Sequence, residues 1–531
     1  LLKRDGKIFI QIPDIKKNIF YSLMGDQYYN FTENSLINIF KLFGFKIKKI
    51  DKKHFPREIV LVLKKDININ NKNTKLIKKD SIFQKNLISL NKLKRKLEKK
   101  FNKNQYLVLG TTVNAAFVDE IISKNVNHFV DENLTLDKNY FRETLMLTKI
   151  KFLTAGESHG KGLLGILDGI PAGLKIEKEY IDIQLARRQM GYGRGGRMKI
   201  EKDRVEIWSG IRLGETIASP IGLIVRNKDW ENWKEKMTIG KPNKAPKKVT
   251  LPRPGHADLA GVEKFDFDDI RNVLERSSAR ETTMRVALAS VCRKLLNEIG
   301  INVASRVTQI HNVKDTTNIP KDMSANELND LVDSSPLRCL NKKKEQEMIK
   351  IIDQAKKNGD SVGGIFEVFA TGLPYGLGSY SQWDRKLQSK ITSLLMSVNA
   401  FKSIEIGQGV SSGEKFGSEI HDEIGWDGKH YKRFSNNAGG IEGGMSNAMP
   451  INVKVAMKPI PTLIKSLRSV DIHTKEKKDA HKERTDSCAV PAASIIAESM
   501  LCFVLADALL EKFGGDSMAQ LKAHMDASAK Y

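Results

Sequence analysis

The 531 residues exceed what one ordinary hydrophobic core supports, so at least two folding units are expected. Hydrophobic residues at 40%, 39 glycines, 15 prolines and no long biased repeat exclude a fibrous, collagen-like or wholly disordered chain. The net charge of +25, from 88 basic and 63 acidic side chains, favours anionic partners of any size, from nucleic acid and anionic membranes to small molecules.

No stretch approaches eighteen uninterrupted apolar residues, and the opening LLKRDGKIFIQIPD lacks the regions of a signal peptide, so a cytoplasmic protein with no membrane span is expected. Cysteines 292, 339, 488 and 502 form no CxxC pair, which argues against zinc ribbons, thioredoxin-like redox chemistry and a disulfide framework. Buried thiols and no metal site are the expectation. Charge and glycine both change near residue 146. Residues 1–145 carry 29 basic and 15 acidic side chains, a net +14, whereas the remaining 59 basic and 48 acidic ones give +11. Only Gly6, Gly25, Gly44 and Gly110 precede that point.

In chain order, residues 7–13 (KIFIQIP) read as a strand and 31–43 (FTENSLINIFKLF) as a helix begun by Thr32 or Asn34 and stopped at Gly44. FKIKKIDKK and REIVLVLKK follow as two more strands. With the phrase YNFTENSLINIFKLFGF before a closing hairpin, this run is similar to the last third of a class I S-adenosylmethionine-dependent methyltransferase. Residues 105–145 look like a further βαβ unit, similar to the accessory domain of sugar C-methyltransferases. The glycine-rich strand-turn-helix that would hold the methyl donor is absent from residues 1–145, so this segment is not expected to bind it alone. LNKLKRKLEKK at 90–100 reads as a solvated linker helix rather than a nucleic-acid patch. The expected division is 1–80 partial methyltransferase-like segment, 81–145 Lys-rich linker and small α/β accessory segment, and 146–531 the main domain. The chain begins at Leu1 rather than Met, which suggests a truncated reading frame or a fusion, with Met146 as a candidate start.

From Lys151, KFLTAGESHGKGLLGILDGIP sets His159 on a sharp turn between two strands, where a histidine can either reach a ligand or bond to backbone. Arg187, Arg188, Arg194 and Arg197 then put four guanidinium groups into a flexible Gly-rich loop, GYGRGGRMK, between a helical run (YIDIQLARRQM) and a strand (DRVEIWSG), a pattern suited to phosphate or carboxylate. An RNA-binding RGG-type segment is the competing reading, but such segments are repetitive and this loop occurs once. LPRPGHADLAGVEKF carries His256. In ERSSARETTMRVALASVCRKLL, Ser278 and Glu281 have capping-box spacing, and Arg276 and Arg280 flank a helix start that could receive a phosphate. Downstream, glycine loops in GDSVGGIFEVFATGLPYGLGS and NNAGGIEGGMSNAMPINVKVAMKPIPT join strands, and Lys458 and Thr462 bracket a rigid proline pair. In HKERTDSCAVPAA, Arg484 and Asp486 are two apart, so in an extended segment they share a side, the first to hold an anion and the second to act as base.

Taken together, GESHG, RRQ-GYGRGGRM, RPGHAD, RSSARET, EGGM-N, KPIPT and R-T-D-S-C, in that order from about Met146 to the C-terminus, resemble the chorismate synthase family. Thr485 stands where that family's pattern leads one to expect Ser. The resemblance implies an α+β fold, a β-α-β sandwich with a central helical layer between two antiparallel sheets, here preceded by the incomplete α/β methyltransferase-like segment. It further implies a homotetramer and a lyase of the shikimate pathway and aromatic amino-acid biosynthesis. The reaction implied is 1,4-anti elimination of phosphate from 5-enolpyruvylshikimate 3-phosphate to give chorismate, with reduced FMN and no net redox change. By the same resemblance His159 would assist the leaving phosphate, His256 would protonate or stabilise the reduced flavin, and Asp486 would take a proton from flavin N5. Flavin contacts would fall to Arg276, Ser277, Ser278, Asn399, Ala400, Gly443, Lys458, Pro459, Ile460, Pro461, Thr462 and Arg484. Arg188 and Arg194 match positions assigned to NADPH as reductant, and a substrate-phosphate role suits them equally. The alternatives are a fusion retaining methyltransferase activity and a basic nucleic-acid-binding protein, the latter recognisable by a steep salt dependence of binding.

Overall fold

A computed structural model describes residues 147–528 apart from 197–200, 243–244, 321 and 484, and, before them, five strands: β1 (Lys7–Pro13), β2 (Phe45–Asp51), β3 (Glu58–Lys65), β4 (Leu107–Gly110) and β5 (His128–Asp131). The chain divides into two units, Leu1–Glu143 and Thr144–Tyr531. In the first, the strands form one sheet in the order β2-β3-β1-β4-β5. Strand β3 runs antiparallel to both β2 and β1, whereas β4 is parallel to β1 and to β5. Pro13 terminates β1, where a missing N–H disturbs the ladder least. The expected helix at 31–43 and the linker helix at 90–100 lie outside the described residues.

The second unit is built on two antiparallel sheets. One comprises β6 (Lys151–Ala155), β7 (Gly162–Asp168), β8 (Val205–Ile207) and, after a short β9–β10 hairpin (Ile211–Arg212, Glu215–Thr216), β11 (Ile221–Arg226), in the order β6-β7-β11-β8. The other comprises β12 (Asn302–Ile310), β13 (Val313–Lys314), β14 (Gly364–Thr371), β16 (Phe401–Ile406) and β21 (Ile451–Met457), in the order β13-β12-β14-β21-β16. Smaller ladders join β15 (Tyr375–Gly378), β20 (Met445–Asn447) and β19 (Ile441–Glu442), and pair β17 (Ile424–Trp426) with β18 (Tyr431–Arg433) and β22 (Arg468–Val470) with β23 (Lys477–Asp479).

Between the two large sheets lie α1 (Lys178–Gln189), α3 (Thr282–Asn297) and α7 (Val490–Phe513); α2 (Asp258–Phe265), α4 (Ala325–Val332), α5 (Lys342–Lys357), α6 (Leu387–Met396) and α8 (Met518–Ser528) lie elsewhere along the chain. Helix α3 packs on β7 and β11 and on α7, and α7 packs in turn on β12 and β14. This is the sheet–helix–sheet order that the family resemblance implied. Strand β7 shows the cause locally: Leu163, Gly165 and Leu167 alternate as buried positions. A Cβ at Gly165 would lie 2.6 Å from Met284 Sδ and 2.8 Å from Leu288 Cδ1, so the missing side chain lets α3 rest directly on the strand.

Helix α7 is long and apolar enough to cross a membrane by length and composition, yet its apolar window is wholly buried inside this unit. Its two buried acids are paired, as burial of charge requires. Glu498 accepts from Arg187 Nη1 at 3.0 Å, Arg338 Nη2 at 3.1 Å and Ser305 Oγ at 2.6 Å, and it also pairs with Arg293. Asp507 binds Lys390 Nζ at 3.0 Å, and its Oδ1 accepts the backbone N–H groups of Thr148, Lys149 and Ile150, pinning the approach to β6.

Candidate active site

The GESHG turn follows β6, and Gly156 takes φ +100° against the backbone of Gly162, a place and a conformation that exclude a side chain. Asn227 holds the turn through Nδ2, which donates to the carbonyls of Glu157, Ser158 and Gly160 at 3.2, 3.2 and 2.8 Å. His159 is thereby buried, with its ring stacked on Trp233 at a centroid distance of 3.8 Å. Its Nδ1 lies 3.0 Å from Glu275 Oε1, and its backbone N–H donates to Glu275 Oε2 at 2.8 Å. Arg271 Nη1 donates to the same Glu275 at 3.0 Å and to Glu483 Oε1 at 3.3 Å, and His481 Nε2 stands 2.9 Å from Glu483. Burial alone would raise both acids. The His159 bond and Arg271 nevertheless hold Glu275 below its ordinary value, and His481 with Arg271 bring Glu483 down to about 2.

His256 sits on the next loop, just ahead of α2. Its Nδ1 lies 2.6 Å from Asp258 Oδ1, and Asp258 also binds Arg253 through Nε at 2.8 Å and through its backbone N–H at 3.0 Å. Despite its burial, Asp258 is held far below the usual carboxylate range by His256 and Arg253. Arg253 Nη1 continues to Thr462 Oγ1 at 3.0 Å, and Lys458 Nζ donates to the Gly255 carbonyl at 2.5 Å, so the KPIPT turn closes over the histidine loop. Burial followed by the charge of Lys402 lowers the Lys458 ammonium below its ordinary value.

The same turn meets the third predicted motif. Thr485 Oγ1 donates to the Thr462 carbonyl at 2.6 Å, and Ser361 Oγ to that of Ile460 at 2.7 Å between Pro459 and Pro461. Asp486 Oδ1 accepts the Gly195 N–H at 2.6 Å, and Oδ2 pairs with Arg194 Nη1 at 3.0 Å. The Ser487 N–H donates to the Gly193 carbonyl at 2.8 Å, so the glycine loop and the Asp486 segment are laced backbone to backbone. Arg484 and Arg197 lie outside the described residues.

Three expectations need correction. Arg187 and Arg188 do not belong to the glycine loop: both stand in the last turn of α1 and point inward, because the helix directs that face at the core. Arg187 serves Glu498, while Arg188 Nη2 donates to the Ala279 carbonyl at 2.8 Å and to Thr282 Oγ1 at 2.9 Å, beneath the start of α3. Arg280 does not face an anion either, since Asp203 at 2.6 Å and Asn227 Oδ1 at 3.0 Å take up its guanidinium inside the protein. Ser278 does cap the helix start, its Oγ accepting the Arg280 N–H at 3.3 Å, but Glu281 completes no capping box. It binds Thr154 Oγ1 at 2.6 Å and Arg285 Nε at 2.9 Å instead.

Arg276 remains on the open side, 42% of its side chain exposed, held by the Thr154 and Gly156 carbonyls at 2.7 and 3.1 Å. Ser278 Oγ donates to Ser158 Oγ at 3.1 Å and Asn399 Nδ2 to the Ser277 carbonyl at 2.8 Å, which ties the RSS segment to the GESHG turn and to Asn399. Ala400 adopts φ +72° and its carbonyl accepts the Lys458 N–H at 3.0 Å, returning the chain of contacts to KPIPT. Gly443 stands apart from these bonds, in the turn between β19 and β20, at φ +59° with no described residue within 4 Å of where a Cβ would project. Sequence reasoning passed over Glu275, Arg271, Trp233, Asn227 and Glu483. Their only local signal is that Glu275 and Glu483 each adjoin a motif arginine.

A family model described as chorismate synthase matches residues 150–510. Chorismate synthase of Aquifex aeolicus is 54% identical over 389 residues, covering 72% of this chain and 98% of that protein. Its namesake in Enterococcus faecalis is 53% identical over 377 residues, 70% and 97% of the respective chains. A solved structure titled "Crystal Structure of Chorismate Synthase" superposes with a TM-score of 0.59 at 43% identity, covering 72% of this chain and 98% of its own.

Proposed function

The chain belongs to the chorismate synthase family, and we infer that its Thr144–Tyr531 unit is a carbon–oxygen lyase that eliminates phosphate from 5-enolpyruvylshikimate 3-phosphate to give chorismate. The observation that carries this reading is the match over nearly the whole length of its relatives, in which GESHG, RPGHAD and the Asp486 segment stand on loops bonded into one network.

Residue types suit the reaction. A trianionic substrate calls for fixed cations, and Arg276, Arg194 and Lys458 occur along the network. We assign to His159 the proton that the departing phosphate needs, to Asp486 a carboxylate base, and to His256 a proton held between Asp258 and the cofactor. The residues also fit a phosphorylated flavin: Arg276, Lys458, Ser277, Ser278 and Asn399 offer charge and hydrogen bonds, and the space beside Gly443 leaves room for a ring. Reduced FMN, when bound there, supplies electron density that eases both bond cleavages without net redox change. Arg194, rather than the inward-facing Arg188, is our choice for contact with an anion, whether substrate phosphate or NADPH.

We read the protein as a cytoplasmic homotetramer, as the family resemblance implies; Leu153, Leu164 and Ile166, exposed on the outer face of the β6-β7-β11-β8 sheet, offer an apolar face for contact between copies. We read Leu1–Glu143 as a methyltransferase-like remnant; in its sheet β3 lies antiparallel between β2 and β1, the place a closing hairpin strand would take. The test is anaerobic turnover of 5-enolpyruvylshikimate 3-phosphate with photoreduced FMN, followed by chorismate absorbance, for the whole chain and for one beginning at Met146. Equal rates are expected. Inactivity of both would refute the lyase reading, and S-adenosylmethionine binding by residues 1–145 would refute the inert remnant.

A further inference from the structure

We propose that Glu275 is the positioning residue of His159, keeping a proton on Nδ1 so that the second proton of the imidazolium, the one passed to a ligand, is taken up and released at Nε2. The proposal rests on the reading of His159 as proton donor and adds the group that orients it.

Three donors converge on the Glu275 carboxylate. The His159 backbone N–H reaches Oε2 at 2.8 Å, His159 Nδ1 lies 3.0 Å from Oε1 and 3.1 Å from Oε2, and Arg271 Nη1 reaches Oε1 at 3.0 Å. An ionised carboxylate offers acceptors only, so the nitrogen facing it must bear the proton. Ionisation is secured by Arg271 and by the His159 bond, against the effect of burial. Rotation of the ring is opposed on two sides: Trp233 stacks on its face, and the Ser158 N–H donates to the Glu275 carbonyl at 3.0 Å, fixing the histidine's backbone to the glutamate's own. The charged groups around the pair are Arg271, Glu483 and His481 on one side. On the Trp233 side they are Lys236, 4.7 Å from the ring centroid, and Asp229, which accepts the indole N–H at 3.3 Å.

Glutamine at 275 would present one acceptor and one donor to the same three donors, so at least one bond must be lost. The amide can also donate to Nδ1 and drive the proton to Nε2. In the serine-protease triad the corresponding acid-to-amide change lowers kcat by about 10⁴ through the wrong tautomer.

The experiment is ¹⁵N solid-state NMR of the whole protein labelled at its 10 histidines, with the His159 signal identified by its loss in His159→Gln. The neutral imidazole is expected with a protonated Nδ1 in the native protein and in Glu275→Asp, and with a protonated Nε2 in Glu275→Gln. Turnover of Glu275→Gln should fall by about 10²–10⁴ with KM for the substrate unchanged. A neutral imidazole protonated on Nε2 instead of Nδ1 in the native protein overturns the proposal, and that measurement needs no variant at all. An unaltered tautomer with full turnover in Glu275→Gln also overturns it. Full activity in His159→Gln would instead sink the proton-donor reading on which the catalytic part stands, whatever the tautomer.

Discussion

Gly195 and Gly196 are adjacent in the glycine loop, and alanine at the two positions should have opposite consequences. A Cβ at Gly195 would drive into the Thr485 carbonyl oxygen, well inside van der Waals contact, and stand 3.1 Å from Asp486 Oδ1. Relief requires the loop to withdraw by about an ångström, which breaks the 2.6 Å bond from the Gly195 N–H to Asp486 and disturbs the Arg194–Asp486 pair. A hydrogen bond to a charged group contributes about 1.5–3 kcal/mol, and an ångström of misplacement at a catalytic group costs about 10²-fold in rate. Gly195→Ala should therefore lose about 10²-fold in kcat for chorismate formation and a few degrees in Tm. At Gly196 no described residue lies within 4 Å of a would-be Cβ and φ is outside the left-handed region, so alanine there should leave turnover unchanged and raise stability by about 0.4–1 kcal/mol. The assays are chorismate absorbance under anaerobic conditions and calorimetric melting of the two variants side by side. Full turnover in Gly195→Ala, or equal loss in both, would refute the steric account of the loop.

His159→Ala and His256→Ala should each abolish turnover while flavin binding, read by fluorescence quenching, persists; undiminished turnover in either removes that residue from the chemistry. Glu498→Ala leaves Arg187, Arg293 and Arg338 without their shared buried partner, and should destabilise by about 3–5 kcal/mol in calorimetry, where a change below about 1 kcal/mol would contradict the pairing. Acid should unfold the protein through the same kind of group. Glu498 and Glu483, each brought down to about 2, bind fewer protons folded than unfolded, so their stabilisation is complete above the ordinary glutamate range and is lost as pH falls towards about 2. Chemical denaturation between pH 6 and pH 3 should thus show stability falling with acid, and the fall should be smaller in Glu498→Gln. All four cysteines are buried, and burial pushes the Cys488 thiol up to about 12 and Cys502 to about 11, so a disulfide reagent should label them only as the protein unfolds.

Local chemistry was legible without a structure. GESHG, RPGHAD and KPIPT each combine a reactive or charged side chain with glycine or proline that dictates the turn, and each forms a turn that presents that side chain, as at Gly156 and Gly255 with their positive φ. The strands at 7–13, 45–51 and 58–65 were visible in the same way, from short runs of apolar and β-branched residues bounded by breakers. Misreadings arose where a side chain's direction depends on helical phase. Arg187 and Arg188 look like part of the arginine loop when written in a line, but the helix carries them through the core side of α1. Glu281 has the spacing of a capping partner, yet Thr154 on β6 and Arg285 one turn ahead compete for it and win.

The sequence by itself determined which residue types could meet a polyanion, where the chain must turn sharply, and that Cys292, Cys339, Cys488 and Cys502 would be plain buried thiols. Only the tertiary structure decided which charges are spent internally and which face outward, because pairing is set by proximity across long separations. Glu275 reaches His159 over 116 positions, Thr462 meets Arg253 over 209, and Glu498 gathers arginines from two helices and a turn. A buried acid attracts whatever cation the packing brings within about 3 Å, and packing of α3 and α7 between two sheets is a property of all their apolar side chains together, not of any one motif.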